Sequence, residues 1–258
     1  MVFIRISKQI FRGLRWIAGL VSDDPFFHHR LAAPVVRGLA RLPGKTGAYW
    51  SQILDYLEKR QRADMAVTAF DARLEILTPD SICLDLGANV GSYTRRMAEY
   101  AGHVHAFEPD PWAFSQLSQN LADLSNVTLH NAAVSDRAGT IRLHRADDFE
   151  SRPEHASLGS SILSRGGTDE GERVDVVSIA LTDFISELDA DIALIKMDIE
   201  GAEVAVLQAL CGSDVLQRID AIFIETHYHT YPEQIAPMAD LKRRYGALSR
   251  PMTNFDWP

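Results

Sequence analysis

The chain has 258 residues, 46% of them apolar and 24% charged, enough for one large domain or one domain with an appendage. Its formal net charge of −9 is unevenly spread: residues 1–63 hold 11 Lys/Arg against 4 Asp/Glu, leaving 15 against 31 for residues 64–258. An acidic main body argues against a nucleic-acid partner, because phosphate binding needs a basic surface.

The first stretch with a clear period is residues 4–21. Ile6, Ile10, Leu14, Ile17 and Val21 form one stripe; Arg5, Lys8, Arg12 and Arg15 form another. This predicts a basic amphipathic helix, suited to an anionic membrane surface or to packing on the protein's own body. Lys8, Arg12 and Arg15 interrupt any apolar core of a signal peptide, and no run is apolar enough to span a bilayer. Cys83 and Cys211 each sit in an apolar run, which argues against a disulfide framework and suits a reducing, cytoplasmic compartment. Asp24-Pro25, Ala33-Pro34 and Pro43-Gly44 are expected to break the chain into short pieces before a helical stretch, Tyr49–Glu75.

From Ile82 strands and helices alternate. Strands are expected at Ile82–Leu86, His103–Glu108, Asn126–Val134, Asp191–Asp198 and Ile219–Glu225. Helices are expected at Gly91–Tyr100, Trp112–Leu121, Gly201–Leu210 and Pro232–Tyr245. Alternation of this kind means a parallel sheet with both faces covered, binding its ligand outside the carboxyl ends of the strands. The interval 135–181 departs from it. Gly139–Arg145 and Glu172–Ile179 look like two strands, and the Gly/Ser-rich segment between them suits a lid or binding loop in which Ser160 and Ser161 could touch a ligand. The expected division is a helical extension, 1–64, and a ligand-binding domain, 65–258.

The first strand runs into LDLGANVGSYT, a glycine turn that exposes backbone N–H groups. Dinucleotides and S-adenosylmethionine both use such a turn. In Gly87-Ala88-Asn89-Val90-Gly91 a side chain stands where the dinucleotide fingerprint needs its second glycine, and Asp85 would repel a diphosphate. Glu108, 21 residues after Gly87, closes the second strand, where a carboxylate can accept from ribose hydroxyls.

DLGANVGSYT, AFEPDP, NAAVSDRAGTIRL, SLGSSIL and IKMDIEGAEVAVLQAL together resemble the FkbM-type S-adenosylmethionine-dependent methyltransferases, over roughly Ile82–Glu225. The resemblance implies an α/β class I methyltransferase (Rossmann-like) fold, a seven-stranded, mostly parallel sheet with a late antiparallel strand. It also implies methyl transfer to a hydroxyl of a sugar, glycan or natural product. By position, Asp85, Gly87, Ala88, Asn89 and Gly91 would line the methionine end of the cofactor and Glu108 would hold the ribose. Asn131 and Ala132 would lie beside the adenine. Only 33 residues follow Glu225, so the far edge of the sheet is expected to be abbreviated.

MDIEGAE, Met197–Glu203, sets three acids after a buried strand. Asp198 is expected at the reacting centre, touching cofactor or acceptor, with Lys196 on the same face as its ion partner. Glu200 belongs to the turn, and Glu203 reads as a first-turn helix charge. His227, just beyond the fifth strand, is the candidate base for the hydroxyl proton. Asp198, Glu225 and His227 could hold a divalent cation, although the spacing does not demand one. Two rival readings remain at this level, an NAD-dependent oxidoreductase and a non-catalytic methyltransferase-like adaptor.

Overall fold

The computed structural model describes residues 27–145 and 173–258, with side chains from residue 33 onward. The amphipathic stretch 4–21 and the loop serines Ser160 and Ser161 lie outside the described residues. No described helix is long and apolar enough to cross a membrane. The chain divides into two compact units, Met1–Ala69 with Pro258, and Phe70–Trp257.

In the first unit, α1 (Phe27–Ala40) continues through Pro34, where a break was expected. A helical proline removes one N–H bond and need not stop the helix. α2 (Gly44–Leu74) then runs for 31 residues, of which those from Phe70 onward belong to the second unit, and Val36, Trp50 and Leu57 form a small core of their own.

The second unit is built on a six-stranded sheet. Its strands are β1 (Ile82–Leu86), β2 (His103–Phe107), β3 (Val127–His130), β7 (Ile192–Met197), β8 (Ala221–Ile224) and β9 (Met252–Asn254), in the order β3-β2-β1-β7-β8-β9. Every pairing in it is parallel. Helices α3 (Ser92–Ala98), α4 (Pro111–Asn120), α6 (Glu203–Cys211) and α7 (Ile235–Gly246) make the crossovers. β1 and β7 are buried almost throughout because both faces are covered, which is why they read as apolar runs. Among the described residues the main sheet has six strands, all parallel, in place of the expected seven with a late antiparallel strand. After α7 comes the three-residue strand β9, which pairs parallel to β8.

The expected third strand, Asn126–Val134, is two strands. β3 ends at His130, and β4 (Ala133–Ser135) joins a second sheet of order β4-β6-β5. There β5 (Gly139–His144) pairs antiparallel with β6 (Arg173–Ala180), and α5 (Leu181–Glu187) follows. Asn131 makes the break: its amide donates to the carbonyls of Glu108 and Pro109, at 2.8 and 3.2 Å, and turns the chain away. The carboxyl ends of the main sheet stay level because the ladder continues one residue past the strands. Glu108 N–H donates to His130 O, Gly87 N–H to Phe107 O, Asp198 N–H to Leu86 O and Glu225 N–H to Met197 O.

Candidate active site

Four segments meet on that level edge: the β1–α3 turn, Glu108 after β2, the β7–α6 turn and the residues after β8. The β1 turn needs left-handed backbone three times, at Gly87 (φ 79°), Asn89 (φ 47°) and Gly91 (φ 95°). Gly87 also has no room for a side chain: a Cβ there would stand 1.7 Å from the carbonyl oxygen of Asp198. The turn after β1 and the turn after β7 therefore touch through main-chain atoms.

Beneath this contact lies Lys196. Its Nζ donates to Gly87 O at 2.7 Å and lies 3.5 Å from Asp85 Oδ1 and 3.6 Å from Asp198 Oδ2. Asp85 is wholly buried and also accepts from Thr94 Oγ1 at 2.6 Å. Burial pushes the Asp85 carboxyl up, and Lys196 and Thr94 oppose it. Burial pulls the Lys196 ammonium down, yet Asp85 and Asp198 outweigh it and hold the ammonium above its ordinary value. The charged pair is the state that satisfies most of the buried atoms, since Nζ is shared among two carboxylates and a carbonyl. Asp85 thus sits under the turn and braces it.

Glu108 is 7% exposed, and both its oxygens face backbone donors: Asn89 N–H at 2.8 Å and Asp110 N–H at 2.9 Å. Burial nonetheless pushes its carboxyl up to about 7. Asp110 caps α4 through Trp112 N–H and Ala113 N–H, and Arg145 Nε holds its other oxygen at 2.7 Å. Ala88 and Ala132 are buried, and Asn131 is the clamp described above.

After β7 the chain makes a tight turn on Glu200 (φ 50°) and Gly201 (φ 112°). Glu203 does lie in the first turn of α6, as its sequence position suggests, but it is wholly buried. Gly201 N–H donates to both its oxygens at 3.1 Å, and its Oε1 lies 3.0 Å from His227 Nδ1. His227 Nε2 then faces three more acids: Glu200 Oε2 at 3.5 Å, Glu225 Oε1 at 3.7 Å and Asp198 Oδ1 at 4.0 Å. Burial pulls this histidine down, but Glu203 and the other acids push it up to about 9. As it stands it carries its proton at neutral pH, so service as a base requires that proton to leave first. Burial, and then Asp198, raise the Glu225 carboxyl.

The residues expected at the site thus fall in two groups. Gly87, Ala88, Asn89, Gly91 and Glu108 surround the β1 turn, while Asp198 and His227 meet beside it. Sequence reasoning missed the buried station of Glu203 and the inward aim of Glu200. An available signal was the company Glu203 keeps, between Ala202, Val204, Val206 and Leu207, all buried.

The sequence matches the methyltransferase FkbM domain model over residues 85–248, more than half of the chain. The chain belongs to the FkbM methyltransferase family. Among relatives of the FkbM domain, the 2-O-methyltransferase NoeI of Sinorhizobium fredii is 31% identical over 156 residues, 57% of this chain and 63% of that protein. The hexuronic acid methyltransferase AglP of Haloferax volcanii is 24% identical over 167 residues, 64% of each. The FkbM chain thus spans less than two thirds of the length of these curated relatives. A crystal structure of methyltransferase FkbM from Methylobacillus flagellatus aligns at a TM-score of 0.45 and 15% identity, over 81% of this chain and 52% of that one.

Proposed function

We propose that this FkbM domain transfers a methyl group from S-adenosylmethionine to a hydroxyl of a saccharide or small natural product. The observation that carries the reading is the main-chain contact between Gly87 and Asp198, which sets a glycine turn suited to an adenosyl cofactor directly against a His–carboxylate cluster. The relatives' names, a 2-O-methyltransferase and a hexuronic acid methyltransferase, support the acceptor class. The residues fit the cofactor chemically: Glu108 is a strand-end carboxylate beside the turn, with lone pairs left for hydroxyl donors after its two backbone bonds.

When bound, S-adenosylmethionine supplies a methyl carbon that an acceptor oxygen takes while the carbon–sulfur electron pair stays on sulfur. The protein's part is orientation of the acceptor and removal of its hydroxyl proton. In this reading the turn residues Gly87, Ala88, Asn89 and Gly91 hold the methionine end, with Asp85 bracing them. Glu108 takes the ribose, and Asn131 and Ala132 border the adenine. Asp198 positions cofactor or acceptor, and His227 with Glu225 receives the proton.

The test is calorimetry with S-adenosylhomocysteine, joined to methyl transfer onto a panel of glycosides. Asp198→Ala is expected to leave a folded protein whose methyl transfer falls by about 100-fold or more. Folded protein with no affinity for either cofactor form, or an Asp198→Ala variant of unchanged rate, would sink the proposal.

A pH dependence follows from Glu108. A carboxyl raised to about 7 stabilises the fold in its protonated form. That contribution is complete below the ordinary carboxylate range and is lost as pH rises through about 7. Ribose hydroxyls donate to the ionised form, so ligand affinity moves the opposite way. S-adenosylhomocysteine is expected to bind about tenfold more tightly at pH 8 than at pH 6, the factor set by the ionised fraction of a group with a pKa near 7. Calorimetry at the two pH values checks this, and a flat affinity would remove Glu108 from the ribose.

A further inference from the structure

The cluster at His227 has the form of a metal site. One oxygen of Asp198, one of Glu200 and a ring nitrogen of His227 all lie within 4.8 Å of one another. Ligands 2.0–2.2 Å from a small divalent ion stand roughly 3.0–3.6 Å apart, depending on coordination geometry. The separations from Nε2, 3.5 Å to Glu200, 3.7 Å to Glu225 and 4.0 Å to Asp198, come within a few tenths of an ångström of that range.

Two features distinguish this from a patch of surface acids. The first is the histidine's orientation. Glu203, wholly buried and itself fixed by Gly201 N–H, takes Nδ1 of His227 at 3.0 Å and leaves Nε2 facing the acids. A carboxylate behind the non-ligating nitrogen is the usual support of a metal-binding imidazole, setting tautomer and ring angle together. The second is Asp198 Oδ1, which is shielded from solvent and accepts no hydrogen bond. Its other oxygen faces Lys196. A buried carboxylate oxygen left without a donor is costly, and a cation satisfies it.

We propose that Asp198, Glu200 and His227 Nε2, with Glu225 at the rim, bind a divalent cation, and that Glu203 positions His227 for it. One imidazole among carboxylates suits Mn2+, Fe2+ or Zn2+ better than Ca2+. The ion's use rests on the methyl-transfer reading: beside the acceptor it would lower the pKa of a hydroxyl, and with both ring nitrogens of His227 then engaged the proton would pass to Glu225 rather than to His227. Binding of the ion does not rest on that reading.

The experiment uses the full chain stripped with a chelator and titrated with Mn2+, free ion being followed by electron paramagnetic resonance. One saturable site at sub-millimolar Mn2+ is expected. It should be lost in Asp198→Asn and His227→Ala, and weakened about 10- to 100-fold in Glu203→Gln, as for other supporting ligands. If His227→Ala fails to fold, Glu200→Gln, at the mouth of the cluster, serves in its place. S-adenosylhomocysteine affinity is measured on the same unmodified preparation. Protein that binds S-adenosylhomocysteine but neither Mn2+ nor Zn2+ overturns the metal site and leaves methyl transfer standing. Mn2+ binding without S-adenosylhomocysteine binding sustains the site and overturns the function. Mn2+ affinity unchanged in Asp198→Asn and Glu200→Gln overturns the site as placed.

Discussion

Replacing Lys196 by alanine is expected to cost roughly 3–5 kcal/mol of folding stability, the usual effect of removing one partner from a buried ion pair. Lys196 is 4% exposed and Asp85 not at all, so water cannot take over the lost contacts. Without the ammonium, Asp85 keeps Thr94 as its remaining hydrogen-bond donor, and Gly87 O loses its 2.7 Å donor. The loss should be less than the full charge burial because the Asp85 carboxyl, already pushed up by its surroundings, can take a proton. For a domain of this size each kcal/mol moves Tm by about 2–4 °C, so a fall of about 6–20 °C is expected by calorimetry. The double variant Asp85→Asn with Lys196→Met removes both charges and should recover much of that fall. A Lys196→Ala protein with the parent's Tm would show that the pair carries no such stress.

The second large effect is expected at Gly87. Gly87→Ala places a methyl group 1.7 Å from Asp198 O and asks alanine to hold φ 79°. The left-handed backbone alone costs about 1–2 kcal/mol. The clash is worse, because the obstacle is main chain at the end of a central strand and cannot swing aside. Either β7 shifts, carrying Asp198 with it, or the turn opens. Both outcomes should abolish S-adenosylhomocysteine binding in calorimetry, whether or not the protein still melts cooperatively. Gly38→Ala is the matching control: its helical position has open space within 4 Å, and a gain of roughly 0.5–1 kcal/mol is expected. Retained ligand affinity in Gly87→Ala would refute the close-approach argument.

The sheet was legible because its strands are short apolar runs that stop at acids or glycines. Ile82–Leu86 was placed to the residue, and the end of His103–Phe107 to within one. Continuity misled at 126–134. Apolar and polar residues carry on through the break, and the Asn131 amide that turns the chain bonds to carbonyls 22 and 23 residues back, which no local period reveals. The FkbM motifs implied a late antiparallel strand, whereas β9, the described strand after α7, pairs parallel. At the site, Asp198 was legible from its place at a strand end. The use of Glu203 was not, because its partner, His227, is 24 residues away and only the β7–α6–β8 crossover brings them together.

The main-chain contact between Gly87 and Asp198 also divides the protein into parts that tolerate change differently. No side-chain substitution elsewhere can make room at position 87, because the opposing atom belongs to the backbone itself. By contrast, Tyr228–Thr230, Pro232 and Glu233 carry half-buried or exposed side chains, whereas Gln234 donates from Nε2 to Gly201 O at 2.9 Å and belongs with the β7–α6 turn. A library that probes the proposed acceptor side would therefore vary residues 228–230, 232 and 233, and keep Tyr231, Gln234 and the segments 85–91 and 196–203 intact.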